Sequence, residues 1–170
     1  MIARTAPVRG RTRYRPAMSR NRFRLPAAVY GVLRVDGRTL VLRRAGTDVH
    51  PGELGLPAGH LEGGEDAVTG LLRELREEVG VEAVPADCRL VLLVHSAPEH
   101  VDDSEYLHLF FVVERWSGEP FIGEPDKCSE LVWVTSDALP ADVVDLVADA
   151  LHAIDRDEPL LLRGWDRGAT

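Results

Sequence analysis

The segment from Asp66 to Gly80 constrains this chain more than any other. Ala67, Val68, Leu71, Leu72, Leu75 and Val79 recur at helical spacing, and Gly80 stands where a left-handed residue ends a helix. The segment therefore predicts an amphipathic helix that must lay one stripe on a core. Its polar side is unusual. Glu74, Glu77 and Glu78 stand at i, i+3 and i+4, and at ~100° per residue they share one narrow sector, roughly opposite Val68 and Val79. Three carboxylates on one patch repel one another. Arg73 and Arg76 offset this as surface partners in one reading. In the other a divalent cation does so, and hard oxygen donors select Mg2+ or Mn2+ over Zn2+. Mg2+ ordinarily shares its shell with water and substrate phosphates, so the implied substrate is phosphorylated. The plain alternative is a solvated glutamate face.

Strand signals surround this helix. Ala27–Val35 and Thr39–Arg43 are apolar and β-branched, and Asp36-Gly37 between them is a hairpin turn signal. Gly52 to Gly64 is a Gly- and Pro-rich shaped loop, with Leu54 and Leu56 placed in a short strand. Its Gly59, Gly63 and Gly64 let backbone groups approach a metal or a phosphate. Further strands are expected at Leu90–His95, Tyr106–Glu114 and Leu131–Val134. A second helix is expected from Ser136 or Asp137 to about Ile154, with Pro140 in its first turn or forcing a later start. Strands interleaved with two amphipathic helices imply an α/β sandwich, helices covering a mixed sheet. The chain divides into a basic flexible tail at 1–24, a domain at 25–156 and a C-terminal extension at 157–170. In that extension Leu160–Leu162 and Trp165 are candidates to dock on the body, and the last residues to fray.

At 170 residues and 45% hydrophobic content, one domain can fill a core. No apolar run approaches the ~20 residues that cross a bilayer, and no signal h-region is visible, so a soluble cytoplasmic protein without a membrane partner is expected. Cys88 and Cys128 form no C-x-x-C pair and are expected reduced. The net charge of −8 hides an asymmetry: residues 1–24 hold eight arginines and no acid, leaving 12 bases against 28 acids in the rest. An acidic body repels nucleic acid, so no nucleic-acid partner is expected. The basic lead reads as a solvated tail or an overlong start with Met18 as initiator, against a transit peptide or a nucleic-acid arm.

Gly59-x5-Glu65-x7-Arg73-Glu74-Leu75-x-Glu77-Glu78-x-Gly80-Val81 matches the Nudix box at every specified position. On these residues the chain resembles the Nudix hydrolases over roughly 25–155. The resemblance implies the α/β/α Nudix sandwich and cleavage of a nucleoside diphosphate linked to another moiety. Val113-Glu-Arg-Trp-Ser-Gly-Glu-Pro120 is similar to a run in the MutT-type nucleoside triphosphate pyrophosphohydrolases. Pro57-Ala-Gly-His-Leu-Glu62 and Glu124-Pro-Asp-Lys-Cys128 with Trp133 resemble segments of the thiopurine-nucleotide diphosphatase branch. By that likeness Glu74 and Glu78 are principal metal ligands, with Glu77 a further ligand or water-orienting group. Glu124 completes the metal site, the Gly59 backbone can contribute to it, Arg44 contacts substrate phosphates, and Glu65 pairs with Arg73 to orient the helix. The implied cofactor is Mg2+, or Mn2+. The implied reaction turns a nucleoside triphosphate into a monophosphate and pyrophosphate, and a homodimer is left open. Two positions depart from the pattern: Ala58 replaces a glycine, and the asparagine that reads an oxidised purine in MutT has no counterpart.

Other classes stay in view. Pro98 is similar to a proline of ADP-ribose and dinucleotide pyrophosphatases, and a non-catalytic nucleotide sensor or an RNA-binding module using the arginine arm are further alternatives. His60, His95, His100 and His108 match no ligand spacing and read as polar wall, His60 being the best catalytic candidate among them. Trp116, Trp133 and Phe121 are candidates to stack on a base, or core residues. Cys128 reads as structural. The chain has no glutamine and one asparagine, Asn21 in the tail, so amide readout of a base is not expected. Asp142 is the candidate instead, as an acceptor favouring guanine, against the alternative that it caps the C-terminal helix.

Overall fold

The computed structural model describes residues 23–46, 49–98 and 104–165. The arginine tail up to Arg22, His100 and the last five residues lie outside these. The elements are β1 (Ala27–Val35), β2 (Arg38–Arg44), β3 (Leu54–Gly55), β4 (Ala58–His60), α1 (Ala67–Val79), β5 (Cys88–Ser96), β6 (Tyr106–Val113), β7 (Cys128–Val134), α2 (Asp145–Asp155) and β8 (Leu160–Arg163). The strands run in the order β3-β2-β1-β6-β5-β8, with β4 pairing β1 and β7 pairing β2. The sheet is mixed: β1 with β6 and β5 with β8 are parallel, the other pairs antiparallel. Asp36 and Gly37 both take positive φ, 50° and 74°. That is the turn geometry which matches strand twist, and it sets the β1–β2 hairpin.

Each face of the sheet carries a helix, which makes the α/β/α sandwich. Val29, Leu33, Phe111 and Val113 face Leu71, Leu75 and Val79 of α1. Gly31 lies under Leu75, whose Cδ2 would be 2.7 Å from an added Cβ. On the other face Val32, Leu92, Val94 and Phe110 pack with Val147, Ala150, Leu151 and Ile154 of α2. Leu71, Leu75 and Val79 are fully buried, each stabilising the docked helix by ~1.5–3 kcal/mol. Asp66 caps α1 by accepting from the amides of Val68 and Thr69, both at 3.0 Å, and Gly80 ends it at φ 66°.

Two elements differ from the sequence reading. The second helix begins only at Asp145; Ser136–Ala138 is a separate 3-10 turn, because the residue before a proline avoids helical backbone and Pro140 interrupts the run. The sheet also continues past residue 156, since β8 pairs with β5 from Leu93↔Leu160 to Ser96↔Arg163.

Candidate functional site

The last turns of α1 and the strand before it build one wall of a cavity of about 1230 Å3. Gly59, on β4 in register with Val29, lies directly against Glu74; a Cβ there would collide with the Glu74 carboxylate. Glu78 accepts from the Ala58 amide at 2.8 Å. Arg73 ties helix to loop: it donates to Glu65 (2.9 Å), Glu74 (2.6 Å), Glu77 (3.2 Å) and the His60 carbonyl (3.1 Å). Glu65 in turn accepts from the Glu62 amide at 2.8 Å. The expected Glu65–Arg73 pair is thus present, and it holds the entry of α1 against β4.

Glu124 arrives from far along the chain because its segment binds the exposed end of α1. The amides of Phe121 and Gly123 donate to the carbonyls of Val79 (3.1 Å) and Glu78 (2.9 Å), two acceptors that a helix C-terminus leaves unpaired. Gly123 is required for the approach, since a Cβ there would strike the Glu77 carbonyl. Glu124 then stands beside Glu74 and Glu78 and accepts from Lys127 at 2.8 Å. Burial, with Glu74 and Glu124 nearby, pushes Glu78 up to about 8; burial raises Glu74 as well, against the pull of Arg73. A buried carboxylate group of this kind is stabilised by a cation. Its all-oxygen donors, with a side-chain-free cradle at Gly59, fit a hard divalent ion. Among the described residues no three acidic side chains yet converge at ligand distance; Arg73 holds Glu74 and Glu77, and Lys127 holds Glu124.

Arg44, at the end of β2, lines the same cavity with Lys127, and its Nε donates to the Val49 carbonyl at 3.0 Å. Asp142 is placed elsewhere. It is absent from the cavity wall, its carboxylate is 2.7 Å from Arg43, and its backbone carbonyl accepts from Leu54. It does not cap α2 either, because Val144 occupies the N-cap with no side-chain bond. The acid of α2 that lines the cavity is Asp145. Trp116 and Trp133 pack against the α1-side core, and Phe121 covers Gly80; none lines the cavity. Pro98 is exposed and also off the wall.

The aromatic wall is made instead by Tyr30, Tyr106 and His108, with His60. Tyr106 and His108 have nearly parallel rings, 5.4 Å apart at 20°. The Tyr30 hydroxyl is 3.0 Å from His108 Nδ1, and the Tyr106 hydroxyl is 2.9 Å from His60 Nε2. These side chains share one face of adjoining strands. Toward the middle of that face α2 covers apolar neighbours such as Phe110 and Val94; toward its end the same face turns polar and stays open.

The NUDIX domain model matches residues 22–154. The 8-oxo-dGTP diphosphatase of Escherichia coli (strain K12) is 30% identical over 113 residues, 65% of this chain and 84% of that protein. The ADP-ribose pyrophosphatase of Methanocaldococcus jannaschii is 28% identical over 103 residues, 61% of this chain, and the match spans 59% of that protein's length. Among solved structures, a MutT NUDIX hydrolase from Burkholderia pseudomallei superposes with a TM-score of 0.68 at 25% identity, covering 76% of this chain and 98% of that one. A MutT protein from Methanosarcina mazei Go1 shares the fold at a TM-score of 0.66 and 22% identity, covering 78% and 94%.

Proposed function

The chain belongs to the Nudix family of hydrolases, and from that premise we propose that it is a Mg2+-dependent pyrophosphohydrolase converting a nucleoside triphosphate into a monophosphate and pyrophosphate. The observation that carries the reading is a cavity with two unlike ends. Glu74, Glu77, Glu78 and Glu124 meet the cations Arg44 and Lys127 at one end, and aromatic side chains form the other. Glu74, Glu77, Glu78, Glu124 and the Gly59 backbone would hold a divalent ion, which would supply charge neutralisation on phosphate oxygens and a lowered water pKa. Arg44 binds the phosphate chain and stabilises charge that builds up on it. A carboxylate of the cluster takes the proton of the attacking water. The new phosphorus–oxygen bond forms as the anhydride bond between the α- and β-phosphates breaks, and the bridging oxygen leaves with the electron pair on the departing phosphate group. Arg73, paired with Glu65, Glu74 and Glu77, offsets part of the charge of the cluster and ties α1 to the preceding loop.

The similarity to an ADP-ribose pyrophosphatase keeps cleavage of a nucleoside diphosphate sugar as a second reading. Pyrophosphate or monophosphate release from a panel of nucleoside triphosphates, ADP-ribose and a dinucleotide, with and without Mg2+, separates the two. Turnover of a triphosphate is expected only with the divalent ion. It should fall about 1000-fold or more in Glu78→Gln and Glu74→Gln while circular dichroism stays native, as loss of a Lewis-acid site costs several kcal/mol. Near-normal turnover in both variants would remove the carboxylates from the mechanism, and activity on ADP-ribose alone would favour the second reading. No helix among the described residues is long and apolar enough to cross a membrane.

A further inference from the structure

Two cations hold the carboxylate cluster, and they are themselves held in different ways. Arg73 is fixed: it donates to Glu65, Glu74, Glu77 and the His60 carbonyl, and only 23% of its side chain is exposed. Lys127 makes one side-chain hydrogen bond among the described residues, to Glu124 Oε1 at 2.8 Å, and 65% of its side chain is exposed. Its backbone, by contrast, is pinned on both sides. The Lys127 amide donates to the Glu124 carbonyl at 2.9 Å, and the Lys127 carbonyl accepts from Ala45 at 2.8 Å. Beside it Arg44 stands in register with Cys128. Gly46, at φ 57°, lies against the Asp126 carbonyl, where a Cβ would collide. Lys127 is therefore a flexible stem on a rigid turn, next to Arg44 in the cavity wall. Glu124, and beyond it Glu78 and Glu74, favour its charged form.

We infer that Lys127 is a resident counter-cation that changes partners. In the free protein it neutralises Glu124; when a divalent ion takes Glu124, its ammonium moves to a non-bridging oxygen of the substrate's phosphate chain, beside Arg44. This rests on the pyrophosphohydrolase reading above and adds a phosphate-binding residue to it. An ammonium at 2.8 Å from a carboxylate oxygen weakens the potential that draws a divalent ion there, so the two cations compete. Arg73 cannot make the exchange, because leaving Glu74 and Glu77 would also break its bonds to Glu65 and the His60 carbonyl. Lys127 gives up a single bond, and only its side chain has to rotate. A compact ammonium with three rotatable donors suits both a carboxylate and a phosphate oxygen.

The test compares wild type, Lys127→Met and Lys127→Arg, each checked by thermal melting. Two ligands are titrated without turnover: Mn2+ alone, followed by the resonance signal of the free ion, and inorganic pyrophosphate in saturating Mg2+, by calorimetry. Lys127→Met should bind Mn2+ about 3- to 10-fold more tightly, since a competing charge is gone. It should bind pyrophosphate about 5- to 30-fold more weakly, through loss of a charged hydrogen bond. The kcat/KM for dGTP in saturating Mg2+ should fall by a similar factor, mainly through KM. Lys127→Arg should stay within about threefold of wild type for both ligands. Opposite signs for the two ligands are what a merely structural lysine would not produce, because loosening the turn weakens both. Mn2+ affinity unchanged or weakened in Lys127→Met, pyrophosphate affinity unchanged, or an arginine variant that behaves like the methionine one would each overturn the inference. Wild type that fails to bind either ligand overturns it as well. If wild type cleaves no triphosphate, the proposed reaction fails, while opposite shifts in Mn2+ and pyrophosphate affinity still support the exchange.

Discussion

The two ends of the cavity are built in opposite ways. The carboxylate end comes almost whole from one continuous stretch, Gly59 to Gly80, in which a helix period brings Glu74 and Glu78 together and a loop places Gly59 under them. The far end takes Tyr30 from β1, His60 from β4, Ser96 from β5, Tyr106 and His108 from β6 and Arg163 from β8. One end is set by local geometry, which tolerates little variation in its spacing. The other is set by strand register, where each contributor changes independently. A fold arranged this way can hold its reaction constant while the opposite wall changes.

If that contrast is right, even the smallest change at the carboxylate end should have a large effect. Gly59→Ala adds one methyl group where the Glu74 carboxylate now sits. The colliding atoms belong to the end of a flexible side chain, so Glu74 swings aside and the backbone stays. Turnover should fall by about 100-fold or more, as small misplacements of a reacting geometry do, while the melting temperature moves by only a few degrees. Retained activity would show that Glu74 works from some other position, and the contrast between the two ends would lose its basis.

A pH experiment sharpens the description of the other end. His108 is 8% exposed, and its lowered value of about 4, against an ordinary 6.5, comes first from burial, then from Arg163 and His60. The unfolded chain binds this proton below pH about 6.5, whereas the folded chain refuses it until about 4. Folding is therefore unpenalised by this group above pH 6.5 and is destabilised progressively as pH falls toward 4, by on the order of 2–3 kcal/mol. His108→Gln keeps a polar partner for Tyr30 and removes the titration. Thermal melts at pH 7.5 and 4.5 should show a smaller drop for the variant than for the wild type. Equal drops would mean that the folded imidazole accepts the proton, and that the aromatic end becomes cationic in acid.

What the sequence allowed one to read follows the same division. The helix was legible because fourteen or so contiguous positions repeat one period, and its metal chemistry because three glutamates share one sector. Glu124 lies too far from the box for any period to reach; only resemblance pointed to it, and the cause is visible in the two amides that pair with the end of α1. Ser96 and Arg163 carry no local signal. Their meeting depends on β8 adding to β5 in one register, which a short apolar run after a helix does not declare. The aromatic residues proposed to stack were chosen by type, yet Trp116 and Trp133 went to the core, and the rings that face the cavity are those two residues apart on β6.

Asp142 provides the mildest test and the one most specific to register. It lies near where the resemblance places a base-reading side chain, and with no glutamine and a single asparagine in the tail a carboxylate was the acceptor left to propose. In the structure Arg43 draws its carboxylate away, while the same arginine also donates to the Gly52 carbonyl at 2.8 Å and to Glu130 at 2.9 Å. The loop keeps its place without that side chain, since the backbone carbonyl of Asp142 accepts from Leu54 at 2.8 Å and the Val144 amide donates to Leu54 at 2.9 Å. An exposed ion pair adds little to stability. Asp142→Asn should leave the dGTP-to-dITP and dGTP-to-dATP ratios within about twofold of wild type and the melting temperature within about 2 °C. A change of base preference beyond about fivefold would return recognition to this loop.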